Sequence, residues 1–225
     1  VDDLDGLRWC AQSNALELHA WFSRVDMPER LDVCAFDLDP WAREQDVFGA
    51  ALDLRAALSE LGLDALAKTS GKRGLHVYVP IAREYEFSEV SAFALGVCRL
   101  LTSRRPDLYT VEMRKADREG RLLLDWSRAN AAQTMVAAWS PRATPTATVS
   151  TPLSWDEVAA RLDVTTLTVP EVLERRDPWV EDPLPPQRLE TAAAALRDAG
   201  IELEAISPRA RTATPRTRRS VDLDT

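Results

Sequence analysis

The sequence predicts an α+β domain in which helices pack on a largely antiparallel sheet. Short apolar or alternating runs, such as Val33–Asp39, are typical of strands, and segments with helical periodicity separate them. The chain has 225 residues, of which 45% are hydrophobic and 28% charged, the balance of an ordinary globular protein. A chain of this size can bury a substantial core.

The helical segments follow from apolar periodicity and from start and stop signals. Apolar residues recur at spacings of three and four through residues 47–61, and Gly62 follows as a stop signal. A second amphipathic helix is predicted for residues 88–103. The residues from Ser154 to Glu157 form a capping box that opens a short helix. A proline-rich entry and an alanine-rich helix are predicted within 183–200.

Strands are predicted between these helices. The alternation at the end of 7–19 and the apolar runs elsewhere predict strands at 16–19, 33–39, 75–79 and 134–139. Residues 108–113 and 122–126 are predicted to form a hairpin around Glu119 and Gly120. The folded domain is assigned to residues 1–205. Residues 206–225 are rich in Arg, Thr and Pro and are predicted to be a disordered tail.

Composition and charge exclude several classes of protein. The net charge of −8 argues against a nonspecific nucleic-acid coat protein, although a local basic groove stays compatible with it. The sequence has no long apolar run that predicts a membrane span, and its acidic start lacks the order of a signal peptide. Three scattered cysteines without a CxxC motif favour a reducing, cytoplasmic location.

The first chemical feature is the pair Asp37 and Asp39. Residues i and i+2 of a strand project from the same face, which places these residues about 6–7 Å apart along the backbone. The two carboxylates can therefore converge on one or two hard cations, which would compensate their repulsion. The alternative is a solvated pair of acids at the turn that begins with Pro40.

The second feature is a glycine-rich turn at 69–74 that contains Ser70, Lys72 and Arg73. Such a turn offers backbone N–H groups and positive charge to phosphate, although it lacks the spacing of a Walker A loop. His76 lies on the strand that leaves the turn. A structural role is the alternative for this histidine.

The third feature is Asp125, which follows three leucines where a buried strand would continue with apolar residues. An isolated buried carboxylate is unfavourable, so Asp125 needs a metal ion, an arginine or an exit to the surface. Arg118 or Arg121 could supply a purely structural ion pair. Arg142, just past the strand at 134–139, indicates little when taken alone.

Several segments in order carry a resemblance to a known family. They are LELHAW (16–21), FDLDP (36–40), KTSGKRGLHVYVP (68–80), the RxxRLLLDW segment (118–126), QTMVAAWSPR (133–142), ATVSTPLSWDEV (147–158) and RRDPW (175–179). Through them the chain resembles the polymerase domain of bacterial ATP-dependent DNA ligase D, in the archaeo-eukaryotic primase superfamily, from Leu7 to about Trp179. The resemblance implies a primase-like fold.

The resemblance also implies roles for individual residues. Asp37, Asp39 and Asp125 would be the metal-binding carboxylates of a two-metal nucleotidyltransferase that uses Mn²⁺ or Mg²⁺. The residues that match contacts to the nucleoside triphosphate are His19, Ser70, Arg73, His76 and Arg142. The basic residues expected near DNA or the active centre are Lys72, Arg118 and Arg121.

The chain departs from the family pattern at three places. The family turn usually reads TSGSKG or TSGGKG, whereas Lys72 and Arg73 stand here, and arginine changes the geometry of the charge. Arg128 and Ala129 occupy positions where the family commonly has Gln-Asn. The family domain also carries a further amino-terminal region before the segment matched by Leu7, so the resemblance implies an amino-terminally truncated domain.

The function implied is DNA-directed primer extension or gap filling, with ribo- or deoxynucleoside triphosphates, during DNA break repair. The implied partners are broken or gapped DNA, Ku and an ATP-dependent DNA ligase. The implied location is the nucleoid in the cytoplasm, and no membrane is expected. One alternative is an impaired relative that only binds DNA ends or nucleotides. Another is a metal-dependent phosphohydrolase, for which neither histidine has an evident carboxylate partner in the sequence.

Overall fold

The computed structural model describes residues 3–42, 44–130 and 133–204. Within these ranges the helices are α1 (Leu4–Gln12), α2 (Val47–Glu60), α3 (Phe87–Arg104), α4 (Trp155–Ala159), α5 (Val169–Val172), α6 (Pro178–Glu181) and α7 (Glu190–Asp198). The strands are β1 (His19–Ala20), β2 (Ser23–Arg24), β3 (Met27–Leu31), β4 (Val33–Asp39), β5 (Leu66–Thr69), β6 (Leu75–Pro80), β7 (Tyr109–Thr110), β8 (Leu122–Asp125), β9 (Met135–Val136) and β10 (Pro152–Leu153).

A six-stranded sheet forms the centre of the domain, with the strand order β10-β5-β6-β4-β8-β7. Every neighbouring pair in it is antiparallel except β7 and β8, which are parallel. Two small antiparallel pairs, β1 with β9 and β2 with β3, lie outside this sheet. The predicted α+β class with a mostly antiparallel mixed sheet is therefore confirmed.

The two faces of the central strand β4 have different environments. Cys34, Phe36 and Leu38 are fully buried on one face, and α2 and α3 both contact β4. Because side chains alternate along a strand, Asp37 and Asp39 project from the other face. Packing of the long helices on one face thus leaves the aspartates open to a cavity on the opposite face.

The helices predicted from periodicity agree with the structure to within one residue at each end. The predicted capping box is also confirmed: the Glu157 N–H donates to Ser154 Oγ at 3.2 Å, and the Ser154 N–H donates to Glu157 Oε2 at 2.9 Å. These reciprocal bonds satisfy two N–H groups that have no partner inside the helix. The helix within 183–200 is α7.

The predicted hairpin between 108–113 and 122–126 is wrong. Strands β7 and β8 pair in parallel, with Tyr109 opposite Leu122. The chain reverses at Glu119 and Gly120, both with positive φ, but the reversal comes immediately before β8. The segment from Thr110 to that turn therefore carries the chain back along the sheet, so that β8 runs in the same direction as β7.

Other differences concern short elements. The helix α1 was not predicted, the strand predicted at 16–19 begins only at His19, and the strand predicted at 134–139 is reduced to β9. The predicted tail at 206–225 lies outside the described residues. Within the described part of the chain, no helix has the length and apolar character needed to span a membrane.

Candidate active site

The register of the central sheet places three polar side chains in one row. On β4, Asp37 is directly opposite His76 of β6 and, on its other side, directly opposite Asp125 of β8. Opposite residues on antiparallel strands have Cβ atoms about 4.5–5.5 Å apart. The sheet therefore brings Asp37 and Asp125 together although they are 88 positions apart in the sequence, and Asp39 lies two residues further along the same face.

Each of the three carboxylates is paired with an arginine. The Arg128 Nη2 atom lies 2.9 Å from Asp37 Oδ2 and 2.7 Å from Asp125 Oδ2. Arg118 Nη1 donates to Asp39 Oδ2 at 2.9 Å. The repulsion that neighbouring acids would otherwise exert is therefore compensated by guanidinium groups of the chain itself.

Burial changes the protonation behaviour of this row. It raises the pKa of Asp37 to about 6, an effect that the nearby charge of Arg128 opposes. The His76 Nε2 atom lies 3.5 Å from Asp37 Oδ1. Burial, followed by the nearby charges of Lys68 and Arg128, lowers the pKa of His76 well below its usual value, so its imidazole is neutral at pH 7.

Both histidines have a carboxylate neighbour in the structure, although none was evident in the sequence. His76 has Asp37, and the Nε2 atom of His19 lies 3.6 Å from Glu17 Oε2. The first pair arises from register between β4 and β6, which is not visible as sequence proximity.

The turn at 69–74 uses its amide groups for its own structure. The N–H groups of Lys72 and Gly74 donate to Ser70 Oγ at 3.2 and 3.1 Å, and the N–H of Gly71 donates to a threonine hydroxyl. These three amides are therefore already bonded within the chain, and an offer of backbone N–H groups to phosphate stays a prediction for Arg73. Positive charge comes from the side chains of Lys72 and Arg73, which are exposed and have no ion-pair partner among the described residues.

Two glycines allow this turn to approach its neighbours closely. Gly71 has φ +69°, and a Cβ there would lie 2.5 Å from Arg142 Cγ. A Cβ on Gly74 would lie 2.6 Å from the carbonyl oxygen of Leu38. Arg142 Nη1 in turn donates to the carbonyl oxygen of Ser70 at 3.0 Å. The turn is thus held between β4 and Arg142.

A cavity of about 280 Å³ connects the carboxylates with this turn. Eight of the eleven residues predicted from the sequence line it: His19, Asp37, Asp39, Ser70, Lys72, Arg73, His76 and Arg142. Arg128 also lines it, and Asp125 is buried and bonded to Arg128.

Two predicted residues lie beside the cavity. Arg118 is bonded to Asp39, whereas the Arg121 guanidinium bonds to the Arg118 carbonyl oxygen and to Glu119. A larger cavity of about 630 Å³, lined by residues of α2, α4 and α6, contains none of the predicted residues. The chemistry therefore identifies the smaller cavity as the candidate site.

Sequence reasoning assigned no role to Lys68, which is completely buried beneath this site. Its Nζ atom donates to Ser150 Oγ at 2.5 Å and lies 5.6 Å from the centre of the Tyr78 ring. Burial lowers the pKa of Lys68 to about 7. The available signal was a lysine inside the short, otherwise buried strand β5.

The carboxylates have the donor chemistry for a hard divalent cation. Asp37 and Asp125 each place one oxygen within 2.9 Å of the same guanidinium nitrogen, so both oxygens converge on one cation position. Among the described residues, no three His, Cys, Asp or Glu side chains form a ready-made metal site. The two converging oxygens are directed at the guanidinium of Arg128.

Comparison with known proteins gives the relationships of the chain. The model of the family "LigD, primase-polymerase domain" matches residues 1–184. A multifunctional non-homologous end joining protein LigD of Mycolicibacterium smegmatis is 36% identical over 184 residues, covering 80% of this chain and 24% of that protein. A bifunctional non-homologous end joining protein LigD of Bacillus subtilis is 28% identical over 177 residues, covering 77% of this chain and 29% of that protein.

A solved structure agrees with these matches. The polymerase domain of Mycobacterium tuberculosis ligase D, in complex with DNA, superimposes with a TM-score of 0.71 at 27% identity, covering 80% of this chain and 68% of that one. The chain thus spans about a quarter of the length of the curated relatives. Sequence and fold agree, and the chain belongs to the LigD primase-polymerase domain family.

Proposed function

We propose that this chain is a metal-dependent nucleotidyltransferase that extends DNA primers or fills short gaps with ribo- or deoxynucleoside triphosphates during DNA break repair. The observation that carries the proposal is one cavity with two kinds of wall. Asp37 and Asp39 form one wall, and Lys72, Arg73 and Arg142 lie around the other. Transfer of a nucleotide from a triphosphate requires both kinds of group.

On the carboxylate wall, Asp37, Asp39 and Asp125 are the residues that would hold Mn²⁺ or Mg²⁺. When bound, two such ions supply activation of the primer 3′-hydroxyl and neutralisation of the charge on the leaving pyrophosphate. The neutral imidazole of His76 contacts Asp37 Oδ1 and orients that carboxylate. The buried position of this row keeps its charges in a low-dielectric environment, where they act strongly.

On the cationic wall, Arg142 and Arg73 bind the triphosphate, with Lys72 adding charge at the rim. Arg142 is held in place by its bond to the Ser70 carbonyl oxygen, so its guanidinium needs little reorganisation. The Ser70 hydroxyl oxygen accepts hydrogen bonds from two amide N–H groups of the turn. Its own proton remains available to donate to a phosphate oxygen. His19, exposed at the cavity mouth, is placed for contact with the sugar.

The proposed macromolecular substrate is a gapped or broken DNA end. It is supported by the relationship to a ligase D polymerase domain whose structure is a complex with DNA, and to proteins named for non-homologous end joining. Arg118 and Arg121 are proposed to lie near the template or primer backbone. Ku and an ATP-dependent ligase are proposed partners, and the nucleoid in the cytoplasm is the proposed location.

A second candidate function is a binding module that grips DNA ends or nucleotides without turnover. The arginine pairing of all three carboxylates favours it, because these acids already have counter-ions without any metal. The two functions differ in whether the acids ever exchange those arginines for metal ions.

Primer extension on a gapped duplex tests the proposed function. With Mn²⁺ and either class of triphosphate, the unmodified chain should extend a labelled primer, and Asp39→Ala should not. Asp26→Ala is a matched control. Asp26 is an exposed aspartate outside the cavity, and its Oδ1 atom lies 2.7 Å from Arg83 Nη2. Binding of DNA or triphosphate without any extension would reject the transferase and support the binding module.

A further inference from the structure

Arg128 holds the two carboxylate oxygens that a metal ion would need. In Asp125, Oδ1 accepts from both the N–H and the hydroxyl of Ser127, so Oδ2 is the oxygen left for a cation. In Asp37, Oδ1 lies 3.5 Å from His76 Nε2, and Oδ2 is the oxygen that faces Arg128. Arg128 Nη2 contacts both of these Oδ2 atoms, at 2.7 and 2.9 Å.

The charge balance explains why this arrangement is stable. Asp37 and Asp125 are directly opposite on adjacent strands, with side chains only 17% and 7% exposed. Two like charges in such positions repel each other, and burial increases the penalty. A single guanidinium between them offsets the repulsion as a bound cation would.

We infer that Arg128 is a built-in counter-cation that occupies the position shared by Asp37 and Asp125, so that a divalent metal ion binds there only after the guanidinium has left. This inference deepens the proposed function and rests on its assignment of metal to these carboxylates. Arg128 is thus a positioning residue that controls metal loading through competition for the same two oxygens.

The structure provides a route by which the guanidinium can leave. The carbonyl oxygen of Ala129 accepts the Ser91 hydroxyl at 2.7 Å, which anchors the backbone next to Arg128. The Arg128 side chain lines the cavity and is 28% exposed, and its Nε atom has no hydrogen-bond partner among the described residues. Rotation of the side chain into the cavity therefore needs no movement of β8.

Arg118 differs from Arg128 in each of these respects. Besides Asp39, it donates to the carbonyl oxygens of Glu112 and Met113, and its side chain is only 11% exposed. Three anchors hold this guanidinium, so Arg118 stays in place while Arg128 exchanges.

Binding of Mn²⁺ alone to the full chain, measured by electron paramagnetic resonance without nucleotide or DNA, tests the inference. Arg128→Gln should bind Mn²⁺ at least about tenfold more tightly than the unmodified chain, because a charge-assisted contact no longer competes. Arg175→Gln is the matched control: Arg175 bonds to Glu157 at 2.6 Å, is 22% exposed and also has an unpartnered Nε among the described residues. Its Mn²⁺ affinity should equal that of the unmodified chain.

The outcomes separate the inference from the proposed function. Tighter binding by Arg128→Gln alone supports the inference. Equal Mn²⁺ binding by all three proteins overturns it and leaves metal binding at the carboxylates intact. Absence of Mn²⁺ binding in all three overturns both the inference and the metal-dependent transferase.

A second measurement uses the unmodified chain and does not depend on the folding of a variant. Phenylglyoxal modifies accessible arginines, and the extent at each site is read by mass spectrometry of the peptides. Mn²⁺ should increase modification of Arg128 severalfold and leave Arg175 unchanged. Unchanged modification of Arg128 at a Mn²⁺ concentration that occupies the site would overturn the inference.

Discussion

The two walls of the cavity differ in how their charges are balanced. On the carboxylate wall, Asp37, Asp39 and Asp125 all have arginine partners within 2.9 Å. On the cationic wall, Lys72 and Arg73 are exposed and have no ion-pair partner among the described residues. The acids are neutralised before any ligand arrives, whereas the basic side chains of the turn are not.

This difference indicates which wall is preorganised. A triphosphate meets the exposed charges of Lys72 and Arg73 on a turn held by internal hydrogen bonds, and beside them Arg142, whose Nε lies 3.5 Å from Glu17 Oε1. A metal ion meets oxygens that are already bound to a guanidinium. We therefore expect triphosphate binding to need little rearrangement and metal binding to require exchange of a cation.

The largest effect is expected from Asp125→Asn, which breaks the carboxylate wall. Loss of a charged ligand should lower single-turnover primer extension on the order of 10³-fold, since metal ions contribute several kcal/mol to the stabilisation of such a transition state. Asp26→Asn should extend primers at the normal rate, and circular dichroism should be unchanged in both variants. Activity of Asp125→Asn within a few-fold of normal would contradict the assignment.

The next effect is expected from Arg142→Ala, which weakens the cationic wall. Loss of one charged contact should weaken triphosphate binding by about 10- to 100-fold, as measured by calorimetry, because such contacts contribute about 1.5–3 kcal/mol. DNA affinity should change much less. Arg175→Ala serves as the control, and equal triphosphate affinities of the two variants would show that Arg142 has only a structural role.

A smaller effect concerns the buried Lys68 beneath the two walls. Its pKa is about 7 in the folded chain and near 10.4 when unfolded, so between these values only the unfolded state carries the proton. The stability of the folded state should therefore rise with pH. Relative to Lys68→Met, the unfolding free energy of the unmodified chain should increase by about 1.4 kcal/mol per pH unit across this window.

Chemical denaturation at about pH 7.5 and pH 9.5 measures this difference within the window between the two pKa values. Lys115→Met is the control, since the exposed Lys115 lies 4.9 Å from the centre of the Trp41 ring. It gives the effect of removing an exposed lysine. A difference between Lys68→Met and the unmodified chain that does not change with pH would mean that Lys68 stays protonated in the folded chain.

The smallest effect is expected from Gly74→Ala, compared with Gly62→Ala. The first places a Cβ 2.6 Å from the Leu38 carbonyl oxygen and should shift the turn, while Gly62 has open space and only a positive φ of +77°. Both should lose about 1–2 kcal/mol of unfolding free energy. Triphosphate affinity should fall severalfold in Gly74→Ala alone, and equal affinities would show that the turn tolerates displacement.

Local patterns predicted a large part of the fold and the cavity. The strand from Val33 to Asp39 and the helices α2 and α3 were predictable because periodicity and stop signals depend only on neighbouring residues. The shared face of Asp37 and Asp39 follows from the period of a strand. Most of the remaining predicted residues depended on the family resemblance.

The rest depends on long-range register. That Asp37 lies opposite both His76 and Asp125 is set by pairing among three strands distant in sequence. The parallel direction of β7 and β8 depends on the path between them, which turn signals alone do not determine. Arg128 was recognised only as a departure from the family pattern, since its contacts with two acids exist only after β4 and β8 have paired.

The most direct test of the two-wall account is the binding of a nucleoside triphosphate, without DNA, in the presence and absence of Mn²⁺. The unmodified chain should bind it measurably without metal and more tightly with Mn²⁺. In Asp39→Ala the metal-free binding should persist, and the gain from Mn²⁺ should disappear. Loss of metal-free binding in Asp39→Ala, or an unchanged gain from Mn²⁺, would contradict the division of the cavity into a cationic wall and a metal-binding wall.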